Sequence, residues 1–238
     1  MIGFCVVTYN DIHLSRQMYQ SLIASLGSDS FALACVDGGS TDDSTVFWQT
    51  KCKVLHAGDN ETEMILRNKN KSSDLFNRFS FCLNLGFEYL LQDPVITHIV
   101  QIHPDMRFPQ KNWAENMASF LDQHDDVGRV GADQLSTPVN QRKERLGNMP
   151  CEMWPRKVLD MLIEKDGCIY DENFEAAGGY EDWDINRRLM KYGMRVMITP
   201  TAVIEHPGML SRKNNSVEYE RKNAGYYFKK WGDYKASL

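Results

Sequence analysis

The chain has 238 residues, 42% of them hydrophobic and 25% charged, with a formal net charge of −5. That is ordinary globular composition with room for a sizeable core, and an acidic balance gives no electrostatic footprint for nucleic acid. No apolar stretch approaches the ~20 residues that a helix crossing a bilayer needs.

In chain order, "IGFCVVTYN" is an apolar, β-rich run ending in turn-formers. "DIHLSRQMYQSLIASLG" follows with helical spacing through Leu14, Met18, Leu22 and Leu26 and closes at Gly27. "FALACVDGGSTDDS" repeats this grammar, a buried strand into a Gly/Ser/Asp turn, and "KCKVLHAGDN" reads as a third short strand. "LFNRFSFCLNLGFEYLLQD" is a helix, "PVITHIVQIHPDMRF" a strand that breaks at Pro104, and "NWAENMASFLDQHDD" a helix again. "GRVGADQLS" is strand-like, "PVNQRKERLGNMP" a polar loop, and "CEMWPRKVLDMLIEKDG" a strand then a helix. Near the end, "MRVMITPTAVIEHPG" reads as two short strands around a proline turn. Strands alternating with helices predict an α/β fold, a mostly parallel sheet covered on both faces.

The six cysteines show no CxxC spacing, and Cys5, Cys35 and Cys82 lie inside apolar runs as small buried side chains, which suits a reducing compartment. The opening run is too short, and too uncharged at its start, for a signal peptide. The expectation is a soluble cytoplasmic protein. The basic, aromatic segment "SRKNNSVEYERKNAGYYFKKWG" allows peripheral membrane contact at most.

Ligands of open α/β sheets collect beyond the carboxyl ends of the strands, and acids stand at several predicted ends. Asp37 opens "DGGSTDDS", where Gly38 and Gly39 permit a tight turn beside a ligand; a solvated turn would use the same residues. Asp105 directly follows a buried strand in "IHPDMRFP" and suits a hard divalent cation, or simply a turn. In "FEAAGGYEDWDINRRLMKYG", Glu181, Asp182 and Asp184 cluster at a helix start. The helix dipole alone would favour acids there, Asp184 and Arg188 have ion-pair spacing, and Gly193 is placed to end the helix. His206, just past a strand, suits a transition-type divalent ion or an ordinary surface role.

Taken together and in this order, these segments resemble the family 2 type of glycosyltransferases, which have the GT-A nucleotide-sugar-binding fold. "VVTYN" at 6–10 resembles the family's opening strand and loop, and "VDGGSTDDS" at 36–44 its VDNGSTD segment, with Gly38 in the usual Asn place. "HPDMRFPQKNW" at 103–113 resembles the N-P-D variant of the DxD metal motif of rhamnosyltransferase-like members. "YDENFEAAGGYEDWDINRRLMKYGMRVMITPTAVIEHPG" resembles the FDExF…EDxDLxxRLxxxG…P…H block. The likeness covers about residues 2 to 208.

The resemblance implies one GT-A domain over 1–238: a nucleotide-binding half to about 110, an acceptor and catalytic half over about 111–210, and a helical extension over 211–238. The sheet would be Rossmann-like, with a smaller acceptor-side sheet. The implied chemistry is transfer of a sugar, with inversion, from a nucleoside-diphosphate sugar (UDP- or dTDP-linked) to an acceptor hydroxyl of a glycan or glycoconjugate. Asp182 would be the general base and Glu181 the fallback. Asp105 and His206 would hold Mn²⁺ or Mg²⁺, with His103 a further candidate ligand. Thr8, Tyr9, Asn10, Asp37, Gly38 and Asn84, with Asp105, would line the nucleotide-sugar site. Trp154, Tyr180 and Trp183 would wall the acceptor.

Two positions depart from the pattern. His103 stands where many relatives have the first Asp of DxD, and Leu83 where an Arg is common, leaving Arg78 or Arg107 to supply a positive contact. Two other functions compete. A sugar nucleotidyltransferase would carry a Gly-rich basic N-terminal loop, which "VVTYNDIHLSR" lacks. A non-catalytic nucleotide-sugar or glycan-binding module would explain His103 and Leu83, but not the intact acid pair with His206.

Overall fold

The computed structural model describes residues 1–27, 30–60, 79–135, 149–174, 179–207 and 217–232. Seven strands form one sheet: β1 (Ile2–Thr8), β2 (Phe31–Asp37), β3 (Lys53–His56), β4 (His98–Ile102), β5 (Val127–Gln134), β6 (Glu152–Pro155) and β7 (Arg195–Ile204). The described α-helices are α1 (Ile12–Ser25), α2 (Ser44–Gln49), α3 (Phe79–Leu91), α4 (Trp113–Asp122), α5 (Arg156–Asp166), α6 (Glu181–Lys191) and α7 (Val217–Trp231). The sheet order is β3-β2-β1-β4-β6-β5-β7, and only β6 runs against its neighbours.

The apolar runs of β1, β2 and β4 are continuous because both faces of the sheet are covered. Successive side chains alternate between the faces. Phe4 and Val6 pack with Met18 and Leu22 of α1, Trp48 of α2 and Trp113 of α4, whereas Cys5 packs with α3, α5 and α6 through Leu83, Phe87, Leu159 and Leu189. α1 turns one stripe inward, Ser15, Met18, Leu22 and Ser25, at the spacing of an amphipathic helix. α3 sits so close to β1 and β2 that a Cβ on Gly86 would come within 2.4 Å of Cys5 Sγ. Cys5, Cys35 and Cys82 are buried and free, and burial pushes the Cys82 thiol up to about 12. Such thiols are inert packing groups.

Two expectations are corrected. The "two short strands" around Pro200 are one strand, β7, whose pairing to β5 jumps from Thr199 to Val203. Pro200 lies in that irregular segment of an edge strand, where no partner requires its missing N–H. The smaller acceptor-side sheet is not separate among the described residues. β5, β6 and β7 continue the central sheet, and a single antiparallel bridge, Arg107 to Glu205, extends beyond the end of β7. The polar loop at 138–150 lies almost wholly outside the described residues.

This topology makes one functional edge. β1, β2, β4, β5 and β7 all point their carboxyl ends to it. α6 turns through Gly193 (φ 76°) into the start of β7, so its N-terminus lies at that same edge. Among the described residues no helix is long and apolar enough to cross a membrane.

Candidate active site

On the β1–β2 side the polar atoms largely serve their own loops. Thr8 is buried, and its hydroxyl donates to Asp11 Oδ1 at 2.5 Å, as does Ser15 Oγ at 2.7 Å. Asn10, in the left-handed region at φ 51°, accepts from the Thr41 and Asp42 N–H groups through Oδ1 at 2.7 and 3.2 Å. It thereby staples the β1 loop to the β2 loop. Asp37 accepts from Ser40 Oγ at 2.6 Å and Thr45 Oγ1 at 3.0 Å, with His56 Nδ1 3.6 Å away. Gly38 donates its N–H to Thr8 O at 3.0 Å. Tyr9 alone of this group presents a large face to solvent, at 36% exposure.

At the end of β4 the chain turns through Pro104 and places Asp105 in a buried position, 2% exposed. Its Oδ1 accepts no well-formed hydrogen bond among the described residues, yet His206 Nε2 stands 3.2 Å from it. Burial works to raise this carboxyl's pKa, and the His206 contact with the nearby His103 charge more than offsets it, so Asp105 lies below the usual carboxylate range. The His103 and His206 rings meet edge to face with centroids 6.0 Å apart. A buried carboxylate oxygen facing an imidazole nitrogen fits two ligands of one divalent cation whose remaining positions are filled by diphosphate or water oxygens. Among the described residues, no group of three acidic, histidine or cysteine side chains is arranged to hold a metal alone.

The three acids at the start of α6 have different surroundings. Asp184 is 1% exposed and fully engaged, by Arg188 Nε at 3.1 Å, Trp231 Nε1 at 2.8 Å and Lys230 Nζ at 2.7 Å. Glu181, 3% exposed, accepts the Gly179 N–H at 2.7 Å and closes its own helix start. For these two the helix-building interpretation holds, and Glu181 is poorly placed as a fallback base. Asp182 is different, because its side chain keeps 20% exposure while one oxygen lies 3.4 Å from Arg129 Nη1. Tyr180 precedes the helix at φ 71°, a conformation rare for a residue with a Cβ, and its ring packs on Tyr227 at 5.3 Å.

Other expected residues fall elsewhere. Trp154 is fully buried against Tyr170 and Arg129, so it walls no acceptor site. Asn84 spends its amide on the 170–172 segment, donating to Tyr170 O and Glu172 Oε1 at 2.8 Å each and accepting the Tyr170 N–H at 2.8 Å. It is an internal brace and not a nucleotide contact. Leu83 is a core residue. Arg107 reaches Gln17 and the Met106 carbonyl, and Arg78 lies outside the described residues. Trp183, at 38% exposure, does present itself beside Asp182. Sequence reasoning missed Arg129 and Glu152, a fully buried pair joined at 2.6 Å between β5 and β6. The signal was there: one Arg in the apolar strand "GRVGADQ" and one Glu in "CEMWP" are charges that adjacent buried strands must pair.

No protein-family model matches the chain, and no curated protein sequence does. Solved structures do match. The mannosyltransferase PcManGT from Pyrobaculum calidifontis, in complex with GDP-Man and Mn²⁺, superposes with a TM-score of 0.59 at 12% identity, over 95% of this chain and 69% of that one. S. aureus TarS 1–349 with UDP-GlcNAc gives 0.60 at 15% identity, over 90% of this chain and 61% of that one. This is the GT-A fold. Glucosyl-3-phosphoglycerate synthase from Mycobacterium tuberculosis, with Mn²⁺, UDP and phosphoglyceric acid, is similar over the whole of this chain and 81% of its own, at 0.59 and 15% identity. Within the GT-A fold, the edge carrying Asp105, His206 and Asp182 is the carboxyl edge of the sheet.

Proposed function

We propose that the chain is an inverting, metal-assisted glycosyltransferase of the family 2 type, one catalytic domain over 1–238 acting in the cytoplasm. The donor would be a nucleoside-diphosphate hexose or deoxyhexose, UDP- or dTDP-linked, and the acceptor a hydroxyl of a glycan or glycoconjugate. One observation carries the reading. Of three acids at the start of α6, only Asp182 keeps a solvent-reaching carboxylate, on the edge that also bears Asp105 and His206. At 12–15% identity the structural likeness supports the fold, and the residues at the edge support the chemistry.

Asp182 takes the acceptor hydroxyl's proton as that oxygen attacks the anomeric carbon. Arg129 keeps the Asp182 carboxylate in place. Asp105 and His206 would hold Mn²⁺ or Mg²⁺ between them, with the departing diphosphate supplying further oxygens. When bound, the cation offsets the negative charge that grows on that diphosphate. Tyr9 offers a face against the nucleoside base, while Asp37 and Gly38 shape the loop beside it. Trp183 and Tyr180 flank the acceptor approach. The N-P-D likeness at 103–105 reads as a metal motif in which the His103 imidazole, with no negative charge to offer, stands near the Asp105–His206 pair.

The test is a melting-temperature series with UDP, dTDP and GDP, each with and without Mn²⁺, followed by turnover of the matching sugar donor. A ligand that binds only the folded state raises its melting point by mass action. One nucleotide should stabilise the chain, more so with Mn²⁺, and Asp105→Ala should abolish the Mn²⁺-dependent part. Asp182→Asn should lower turnover by ~10²–10⁴-fold while leaving nucleotide binding intact. Absence of stabilisation by every nucleotide would overturn the proposal.

A further inference from the structure

A line of buried polar side chains crosses the second face of the sheet. The register places Gln101 of β4 opposite Glu152 of β6, and Glu152 opposite Gly131 of β5. Side chains two apart share a face, so His103, Gln101, Glu152 and Arg129 lie on the same side of three adjacent strands. Closer to the strands' other ends that face carries Ile99 and Trp154, which belong to the apolar core. Arg129 lies over the Trp154 ring at that level, and the polar line runs from it through Glu152 and Gln101 toward the functional edge.

These groups are bonded end to end. Arg129 Nη1 meets Asp182 Oδ1 at 3.4 Å and Glu152 Oε2 at 2.6 Å, while its Nη2 reaches the Asp182 carbonyl at 3.5 Å. Tyr170 OH donates to Gln101 Oε1 at 2.8 Å and lies 3.3 Å from Glu152 Oε2. Gln101 Nε2 lies 3.0 Å from His103 Nε2. Arg129, Glu152 and Tyr170 are at most 1% exposed. Burying a charge pair at this depth costs more than burying apolar residues of the same size, and such pairs add little to stability. Burial pushes the Glu152 carboxyl well above the usual range; the Arg129 charge opposes this and the Asp182 carboxyl adds to it.

We propose that Arg129 and Glu152 are positioning residues, and that the chain Asp182–Arg129–Glu152–Tyr170–Gln101–His103 fixes the acceptor-side carboxylate relative to the donor-side end of β4. This deepens the transferase reading above and rests on it. Asp182 sits on the first turn of a helix whose preceding segment, 175–178, is outside the described residues. Two contacts from one guanidinium, to side chain and backbone, hold that turn from the sheet side. A catalytic group displaced by about 1 Å loses on the order of 10²-fold in rate.

The deciding variant is the double replacement Arg129→Met with Glu152→Met, which removes both charges and keeps the volume, a change that buried pairs usually tolerate. A folded double variant should bind nucleoside diphosphate as the wild type does and keep its donor KM within about twofold, while kcat falls ~10–100-fold. Tyr170→Phe, which deletes one hydroxyl, should move kcat in the same direction by less, and it decides the matter if the double variant does not fold. An activity-independent reading comes from 19F NMR of 5-fluorotryptophan protein. The Trp183 signal, beside Asp182, should be single and narrow in the wild type, and broadened or split without the pair. Unchanged kcat and an unchanged Trp183 signal in the folded variants would overturn the proposal. A wild type that transfers no sugar but shows the Trp183 effect would sink the transferase reading and leave the positioning network standing.

Discussion

The two ends of the functional edge are built in opposite ways. At the β1–β2 end, hydrogen bonds close within the two neighbouring loops: Thr8 and Ser15 on Asp11, Thr41 and Asp42 on Asn10, Ser40 and Thr45 on Asp37. Short polar side chains satisfy loop backbone there at modest cost. At the β5–β6 end, charges from two adjacent strands are sunk into the core, and one of them, Arg129, reaches the Asp182 carboxylate. The first end is a pair of loops held in shape by their own side chains, with the Tyr9 ring exposed beside them. The second is a rigid mount. On the transferase reading proposed above both are needed, because the donor would have to be admitted and released while the base stays fixed.

The sharpest way to break this comparison is to cut the mount on one side only. Glu152→Met should destabilise the protein by ~3–5 kcal/mol, because it removes the short contact of the buried Arg129 guanidinium and leaves it only the longer contacts to Asp182. Urea unfolding with an unchanged slope would read this directly. The double replacement should cost much less than that single one, since it takes the Arg129 guanidinium out of the core and the Asp182 carboxylate that loses Arg129 is partly exposed. A Glu152→Met loss below about 1 kcal/mol would mean that solvent reaches the pair, and the rigid mount would lose its basis.

How far the sequence alone carried the reading differs between the same two ends. The strand runs, the helix spacing of α1 and the strand-end acids were plain because each depends on local periodicity or turn chemistry. The Asp184–Arg188 pair and the Gly193 stop were equally local. Asn84 and Trp154 were misplaced because their partners, Tyr170 and Arg129, are distant in the chain and no spacing points to them. Pro200 suggested a break because proline ends central strands, but its strand lies at the edge. Glu181 is closed by the local Gly179 N–H, but Asp184 is closed by Lys230 and Trp231 of α7, a helix that packs from the far end of the sequence.

α7 supplies the next test. Lys230 Nζ lies 2.7 Å from both Asp171 and Asp184, and Trp231 Nε1 donates to Asp184 at 2.8 Å, strapping the helix over the start of α6. Burial works to raise the Asp171 pKa, but the Lys230 contact and the Asn173 N–H bond outweigh it, leaving it below the ordinary 3.8. A depressed folded pKa contributes stability that is fully present above the ordinary value and is lost as pH falls through the folded one. Lys230→Met should therefore cost ~1–2 kcal/mol at neutral pH, allowing for the partial exposure of the ammonium. The gap between variant and wild type should close below pH 3.8, where Asp171 protonates. A gap that persists unchanged at pH 2 would mean that lost packing of the lysine stem, not the ion pair, is what the variant measures.

The smallest effect separates two neighbouring glycines at the β1–β2 end. Gly38 has no positive φ, and a Cβ there would meet Thr8 O at 3.5 Å and the Tyr9 ring at 3.7 Å, ordinary contacts. Gly39 has open space around it but sits at φ 95°, which a side chain strains whatever the room. Gly38→Ala should be neutral or raise stability by up to ~1 kcal/mol, because it restricts the unfolded chain without disturbing the folded one. Gly39→Ala should cost ~1–2 kcal/mol. Thermal unfolding of the two variants side by side reads the difference, and nucleotide binding adds a second reading. Where a loop is shaped by its backbone, Gly39→Ala should weaken binding through the turn, while Gly38→Ala leaves the turn intact and changes only the surface beside Tyr9. Equal effects from both would mean that this end is not shaped by its backbone, and the contrast with the buried mount would shrink to one of charge alone.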